Sequence, residues 1–284
     1  LSVLFAGYFP PERAGYAMSL LTFSMTAAQL AATLVGGLIA EAWGWRAPFW
    51  GAVIVAAVGF ALTLRIEEGR AKPVGLSFGE LARVGRARSL LLFSLLGALH
   101  QFNTWVTLYG FTPNHAVALG ASRAALGWLS FASAAPIALA SLASGTWVVR
   151  FLSERQMVLT GFAVTAAATV AIPLAPSLEA LFVSQFLGGF GRGLVFPVLM
   201  GLVVKSVPPQ KRATAMGFFQ SIYALGMFAG PALAGVVAEW WGLTGAFSAA
   251  AAVTVAGFWV GYRMLERGGP SAQTLSETKS RPAP

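Results

Sequence analysis

Two residue types are missing from this sequence, since it contains no cysteine and no aspartate. Without cysteine, neither a disulfide framework nor a thiolate metal site can form, and two histidines are too few for an ordinary metal centre. Without aspartate, all ten acidic residues are glutamates, which disfavours most hydrolytic mechanisms that use two carboxylates. We therefore expect no catalytic residues, no metal and no cofactor, and the chain is not predicted to be an enzyme.

Charge is also scarce, because only 10% of the 284 residues are charged, against about a quarter in an ordinary soluble domain. Hydrophobic residues make up 57% of the chain, and the mean hydropathy is +0.71. The net charge of +9 does not indicate nucleic-acid binding, because the basic residues occur in short groups between apolar stretches of membrane length. The expected environment is a lipid bilayer, with no nucleic-acid partner.

Eight predominantly apolar segments have roughly the length of a membrane-spanning helix, which takes about 20 residues. They are 14–40, 47–64, 90–109, 125–149, 157–174, 178–204, 214–238 and 246–262. The predicted fold class is an all-α membrane protein, a multi-pass helical bundle.

An internal repeat divides the sequence. Residues 9–68 and 207–266 align without a gap at an offset of 198, with 17 identical pairs among 60. Matching features include Pro10-Pro11 with Pro208-Pro209 and Trp43-Gly44 with Trp241-Gly242. Roughly five identities would arise by chance, so the chain contains a duplicated unit.

An offset of this size corresponds to about six helices per repeat. The second repeat then opens near Arg86, and we expect about 110 residues to precede position 1, holding three helices and most of a fourth. The predicted organisation is the end of an N-terminal half at 1–64, a central loop at 65–88, a C-terminal six-helix half at 89–263 and a disordered tail at 264–284. Alone, the 284 residues are not expected to transport.

Basic residues are concentrated in alternate connections, with 16 of the 19 on one side of the predicted membrane. Cytoplasmic loops of membrane proteins carry an excess of lysine and arginine. We therefore predict that the connections at 10–13, 65–88, 150–155 and 205–212 and the C-terminus are cytoplasmic. The predicted location is the inner or plasma membrane of the cell.

The segment 188–235 has a distinctive order of residues. It contains Gly189, Gly191, Gly193 and Pro197, followed by Pro208-Pro209, Lys211-Arg212 and Ala215-Met216-Gly217. In this order the sequence resembles the major facilitator superfamily of secondary transporters, which have twelve helices in two six-helix halves. The likeness covers essentially the whole chain. It implies that the sequence runs from the end of the fourth helix to the twelfth.

The resemblance also implies residues that act in conformational change. The spacing of a second set resembles the glycine-proline motif that exporters of the family carry on the fifth helix, here on the eleventh: Gly217, Gly226, Gly230, Pro231 and Gly235. Gly145 and Arg150 fit the family's loop motif between helices eight and nine, although Val149 replaces its aspartate. Glycines within apolar helices also permit close packing and bending, which is the structural alternative.

Four polar residues share one face of the predicted helix 90–109. They are His100, Asn103, Thr104 and Thr107, with Gln101 at the edge of the face. Polar side chains are costly in lipid and turn toward the bundle interior or a wet cavity. We predict that they line a substrate cavity, as do Gln220 and Tyr223 on a later helix. The alternative is that they only join helices through hydrogen bonds.

Arg192 is the one charged residue near the centre of a predicted span, and Gln185 lies seven residues earlier on the same face. An arginine at the bilayer midplane costs at least about 2.5 kcal/mol, so its presence needs a reason. The functional interpretation is that its guanidinium binds a substrate carboxylate or phosphate and that Gln185 lines the same substrate cavity. The alternative is a structural link to neighbouring carbonyls or amides.

The resemblance implies a secondary transporter that works by alternating access. Proton-coupled efflux of a drug or metabolite is the predicted activity, with the proton as coupling ion and a small molecule of anionic character as substrate. Uptake of an organic anion by symport is an alternative that Arg192 favours. A non-transporting receptor or a membrane-embedded enzyme is the alternative of another class. The protein is expected to be monomeric.

Overall fold

The computed structural model of the chain describes residues 9–10, 13–64 and 87–265. The predicted central loop lies outside the described residues except for 87 and 88, and the predicted tail does so except for 264 and 265. The division of the chain into two halves at this loop stays a prediction.

Eight α-helices account for most of the described chain. They are α1 (Ala14–Trp43), α2 (Ala47–Thr63), α3 (Arg88–Val106), α4 (Thr112–Ala118), α5 (Arg123–Thr146), α6 (Glu154–Leu174), α7 (Leu178–Lys205) and α8 (Arg212–Met264). Each predicted apolar segment has a helical counterpart, and the described residues include no strand. Within them, five helical stretches are long and apolar enough to cross a membrane. The predicted all-α membrane fold is confirmed.

Helix α8 is a pair of antiparallel arms, 212–241 and 243–264, joined at Gly242, which has a φ of 65°. A Cβ on Gly97 of α3 would lie 2.8 Å from the Phe219 ring of the first arm, and a Cβ on Gly261 of the second arm would lie 3.9 Å from Leu96 of α3. Because Leu96 and Gly97 are adjacent, the start of the first arm and the end of the second arm contact α3 at the same level, so the arms run antiparallel. The two predicted helices of this region are therefore both present.

A second glycine joint connects α1 to α2 at Gly44, where φ is 83°. Only glycine adopts this backbone region without strain. Gly44 and Gly242 are paired by the 198-residue offset of the repeat, so the duplicated sequence places the same kind of turn at equivalent positions.

A π-helical turn, Thr107–Phe111, joins α3 to α4, so the helical path continues to Ala118 instead of ending at the predicted Tyr109. Pro113 lacks an N–H and would press against the carbonyl of Tyr109 in a straight α-helix. Gly110 fits the resulting geometry, because a Cβ there would lie 2.7 Å from the Trp105 carbonyl oxygen. Turns of this type occur often at functional sites.

The centre of the bundle is α7, which packs between α5 and α6, while α3 lies mainly along α8. Helix α1 lies against α5 and α7, and among its side chains that the structure describes, the buried ones lie at the 14–21 end. No residue of α2 is buried. The packing therefore leaves a space between α1 and the helices α3, α7 and α8.

Candidate functional site

A cavity of about 620 Å³ occupies this space, with α1, α3, α5, α7, α8 and the π turn as its walls. Sites for small molecules commonly measure about 300–1,000 Å³. The cavity is therefore large enough for a drug-sized compound.

Six of the nine predicted substrate-binding residues lie on the cavity wall. They are His100, Gln101, Thr104, Arg192, Gln220 and Tyr223. The imidazole of His100 stacks on Phe196, with ring centroids 5.9 Å apart, and meets the edge of Phe162 at 6.3 Å. Whether these side chains contact a substrate stays a prediction.

The other three lie in contacts between helices. Asn103 donates from Nδ2 to the Thr169 hydroxyl of α6 at 2.9 Å, and Thr169 in turn donates to the Thr165 carbonyl at 2.7 Å. Gln185 accepts at Oε1 from the Ser133 hydroxyl of α5 at 3.3 Å. Thr107 donates to the Asn103 carbonyl at 2.7 Å and accepts from Arg192 of α7.

Arg192 is at the boundary between this group of contacts and the cavity. It lines the cavity, yet only 2% of its surface is exposed. Nη2 donates to the Thr107 hydroxyl at 2.7 Å, while Nε and Nη1 are buried without a partner among the described residues. Among the described residues, the ion pair is the one between Lys205 Nζ and Glu154 Oε1, 2.6 Å apart, and it does not include Arg192. The guanidinium is therefore a buried cation that retains unused donors.

One hydrogen bond crosses the cavity between α1 and the π turn. Gln29 donates from Nε2 to the Tyr109 hydroxyl at 3.2 Å, and the Tyr109 ring lies 5.0 Å from the ring of Trp105. The π turn thus presents an aromatic side chain to α1 at the Gln29 end of the cavity.

Most of the predicted motif glycines lie where two helices approach closely. A Cβ placed on Gly145 would collide with Ser19 and Tyr16 of α1. A Cβ would collide with backbone atoms of a neighbouring helix if it were placed on any of five others: Gly189, Gly191, Gly193, Gly226 and Gly230. By contrast, Gly217 and Gly235 have nothing within 4 Å of the corresponding position. Pro197 lies within α7, Pro231 lies within α8, and Arg150 ends an exposed 3₁₀ turn.

The sequence reasoning missed the methionines of the cavity wall, Met25, Met200, Met216 and Met227. It searched apolar segments for polar residues, and a methionine is equally compatible with lipid. For Met216 and Met227, the spacing with Gln220 and Tyr223 on one face of α8 was the available signal.

Comparison with known proteins identifies the class of protein. The family model of the Major Facilitator Superfamily matches residues 1–114 and again 93–284. The chain belongs to this superfamily of transporters and is a multi-pass membrane protein.

Individual relatives extend this result. A multi-drug resistance efflux pump PmrA homolog of Lactococcus lactis is 23% identical over 84% of this chain and 60% of its own length. The tetracenomycin C resistance and export protein of Streptomyces glaucescens is 30% identical over 43% of the chain and 22% of its own length. The human organic anion transporter MFSD10 has the same fold, with a TM-score of 0.76 at 19% identity over 92% of this chain and 66% of that one. The chain thus spans less than two thirds of each of these proteins.

Proposed function

We propose that this protein is a secondary transporter that exports small anionic molecules by alternating access, with Arg192 as the residue that recognises the anionic group. The observation that carries the proposal is a buried guanidinium on the cavity wall with one hydrogen bond and two unused nitrogen donors. The proposed direction of transport is supported by relatives whose names describe efflux and export.

The energetics favour an anionic ligand. A single hydrogen bond to the neutral Thr107 hydroxyl does not balance a full positive charge in a low-dielectric interior. A carboxylate or phosphate would supply both the opposite charge and acceptors that suit the planar guanidinium. Because the group is almost fully covered, the anion binds as the side chain turns from Thr107 toward the cavity.

Protons are the proposed coupling ion. The proposed proton carrier is the imidazole of His100, which lies on the same cavity wall as Arg192. In alternating access the wall faces each side of the membrane in turn, so a group there can take up a proton on one side and release it on the other.

Uptake of an organic anion by symport is a second candidate. Arg192 favours this candidate as well, because the charge of a binding residue selects the substrate without fixing the direction. Everted and right-side-out vesicles made from cells that express the protein distinguish the two. Proton-dependent accumulation in everted vesicles supports export, and accumulation in right-side-out vesicles supports uptake.

A binding experiment tests the role of Arg192. Thermal unfolding of the purified 284-residue chain is followed with 2-naphthoate, 2-naphthamide and 2-naphthylmethylamine, which share a ring system and differ in charge. The carboxylate is expected to stabilise the protein most. Arg192→Gln should lose this stabilisation and Arg192→Lys should retain part of it, because lysine keeps the charge without the planar fork.

The matched control is Arg46→Gln, since the Arg46 guanidinium lies 5.1 Å from the Trp45 ring outside the cavity. This variant should respond to 2-naphthoate like the unmodified chain. Undiminished stabilisation of Arg192→Gln by 2-naphthoate would contradict the proposed recognition and leave Arg192 with a structural role.

A further inference from the structure

The lining of the cavity indicates more about the substrate than the sign of the substrate's charge. Four of the chain's seven methionines lie on it, together with the aromatic residues Trp105, Tyr109, Phe196 and Tyr223. The same wall includes one arginine and no lysine or glutamate among the described residues. Its surface is therefore largely apolar, with a single fixed charge.

We infer that the substrates are amphipathic monoanions with an apolar body up to about 12 Å long, and that the transporter accepts a range of them; this inference rests on the proposed function. The length follows from α7, because Met200 lies eight residues beyond Arg192 and each residue adds 1.5 Å. The anionic group binds at the Arg192 end, and the apolar body lies against the methionine side chains of the wall, as far as Met200.

The number of charges follows from the described lining of the cavity, in which Arg192 is the single arginine and there is no lysine. One carboxylate neutralises Arg192, whereas a second carboxylate would lie among methionine and aromatic side chains without a partner of opposite charge. Burying an unpaired charge is strongly unfavourable. Dianions of the same length are therefore excluded.

The breadth of the substrate range follows from the methionines. Their side chains are unbranched and polarizable, so they adjust to apolar groups of different shape, and methionine-rich surfaces are common in proteins with several ligands. Both an alkyl chain and a fused ring system then fit the same wall.

A ligand series measures this directly. Binding of acetate, hexanoate, decanoate, 2-naphthoate, decanedioate and decanamide to the purified chain is compared by equilibrium dialysis below the micellar concentrations of the ligands. Affinity should rise by roughly fourfold for each buried methylene from hexanoate to decanoate. Decanedioate and decanamide should each bind at least tenfold more weakly than decanoate.

Variants of the methionine wall provide the second measurement. Met25→Ser combined with Met227→Ser should weaken decanoate and 2-naphthoate about tenfold and leave acetate unchanged. Met264→Ser is the matched control, because Met264 is 43% exposed and lies outside the cavity. This variant should change neither the affinity for decanoate nor the affinity for 2-naphthoate.

The outcomes separate this inference from the proposed function. If acetate or decanedioate binds as tightly as decanoate, the inference is wrong and recognition of anions through Arg192 stands. If decanamide binds as tightly as decanoate and Arg192→Gln changes neither affinity, both the inference and the proposed function are wrong. Loss of decanoate binding in Met264→Ser would also overturn the inference, because it would show that the methionines act through general stability.

Discussion

Helix α3 has two polar regions that differ in what their side chains contact. Toward α6 and α7, Asn103 and Thr107 form hydrogen bonds of 2.7–2.9 Å to other helices. Toward the cavity, the Thr104 hydroxyl donates only to the His100 carbonyl of its own helix, at 3.0 Å. We call the first region the seam; the second is the part of the cavity wall that these residues form, and we call it the wall. The difference indicates that the seam holds the bundle together, while the wall keeps its polar groups available for a ligand.

The largest expected effect comes from a glycine of the contact between α3 and α8. A Cβ on Gly226 would overlap the Ala98 carbonyl, so Gly226→Leu should prevent folding. Gly217 lies on the wall of the cavity with open space around it, so Gly217→Leu should fold and bind anions more weakly. Size-exclusion profiles of the purified variants check the first expectation. A monodisperse Gly226→Leu protein would contradict it.

Thr107→Val removes the hydroxyl that accepts from Arg192. Leaving a buried charged donor unpaired should lower the free energy of unfolding by about 2 kcal/mol. Added 2-naphthoate should stabilise this variant more than the unmodified chain, because the guanidinium no longer has to leave Thr107. Thr104→Val is the control from the wall and should change the free energy by less than about 0.5 kcal/mol. Unfolding in mixed micelles measures both.

Asn103→Leu breaks the hydrogen bond between α3 and α6. We expect a loss of about 1 kcal/mol, since hydrogen bonds between membrane helices contribute about 0.6 kcal/mol on average and up to about 1.7. A double-mutant cycle with Thr169→Val isolates the interaction energy of the pair. Gln101→Leu changes a neighbouring residue on the wall and should not affect stability. Equal losses in Asn103→Leu and Gln101→Leu would remove the distinction between seam and wall.

Ser19→Ala is expected to have the smallest effect. The Ser19 and Ser144 hydroxyls are 2.9 Å apart and join α1 to α5. Ser144 also donates to the Ser141 carbonyl at 2.7 Å, so it keeps a partner when Ser19 is replaced. The expected loss is about 0.5 kcal/mol. A loss above 2 kcal/mol would mean that this contact belongs with the seam of α3.

The sequence predicts the helices well because apolar length and turn residues are local properties. It also gives the polar stripe of α3, since a period of 3.6 residues places His100, Asn103 and Thr107 on one side. The boundary between seam and wall falls within that stripe, close to His100. Its position depends on where α6 and α7 lie, and no pattern within α3 contains this information.

Two other features show different limits of sequence reasoning. Gly110 and Pro113 are a local signal for the π turn. The predicted span ends at Tyr109 because the boundary was placed where the sequence becomes polar, without regard to backbone geometry. The methionine wall had almost no signal, because lipid-facing and cavity-facing apolar residues look alike. Arg192 was identified as exceptional, whereas its partner Thr107 followed only from the packing of α3 on α7.

The glycine joints at Gly44 and Gly242 have a consequence for biosynthesis. Each joint is too short to cross a hydrocarbon layer about 30 Å thick, since an extended chain spans at most about 3.6 Å per residue. When the first helix of such a pair reaches its full depth, the residues just after the glycine are already at the far surface. We therefore expect the two helices of each pair to enter the bilayer as a hairpin, at both equivalent points of the repeat.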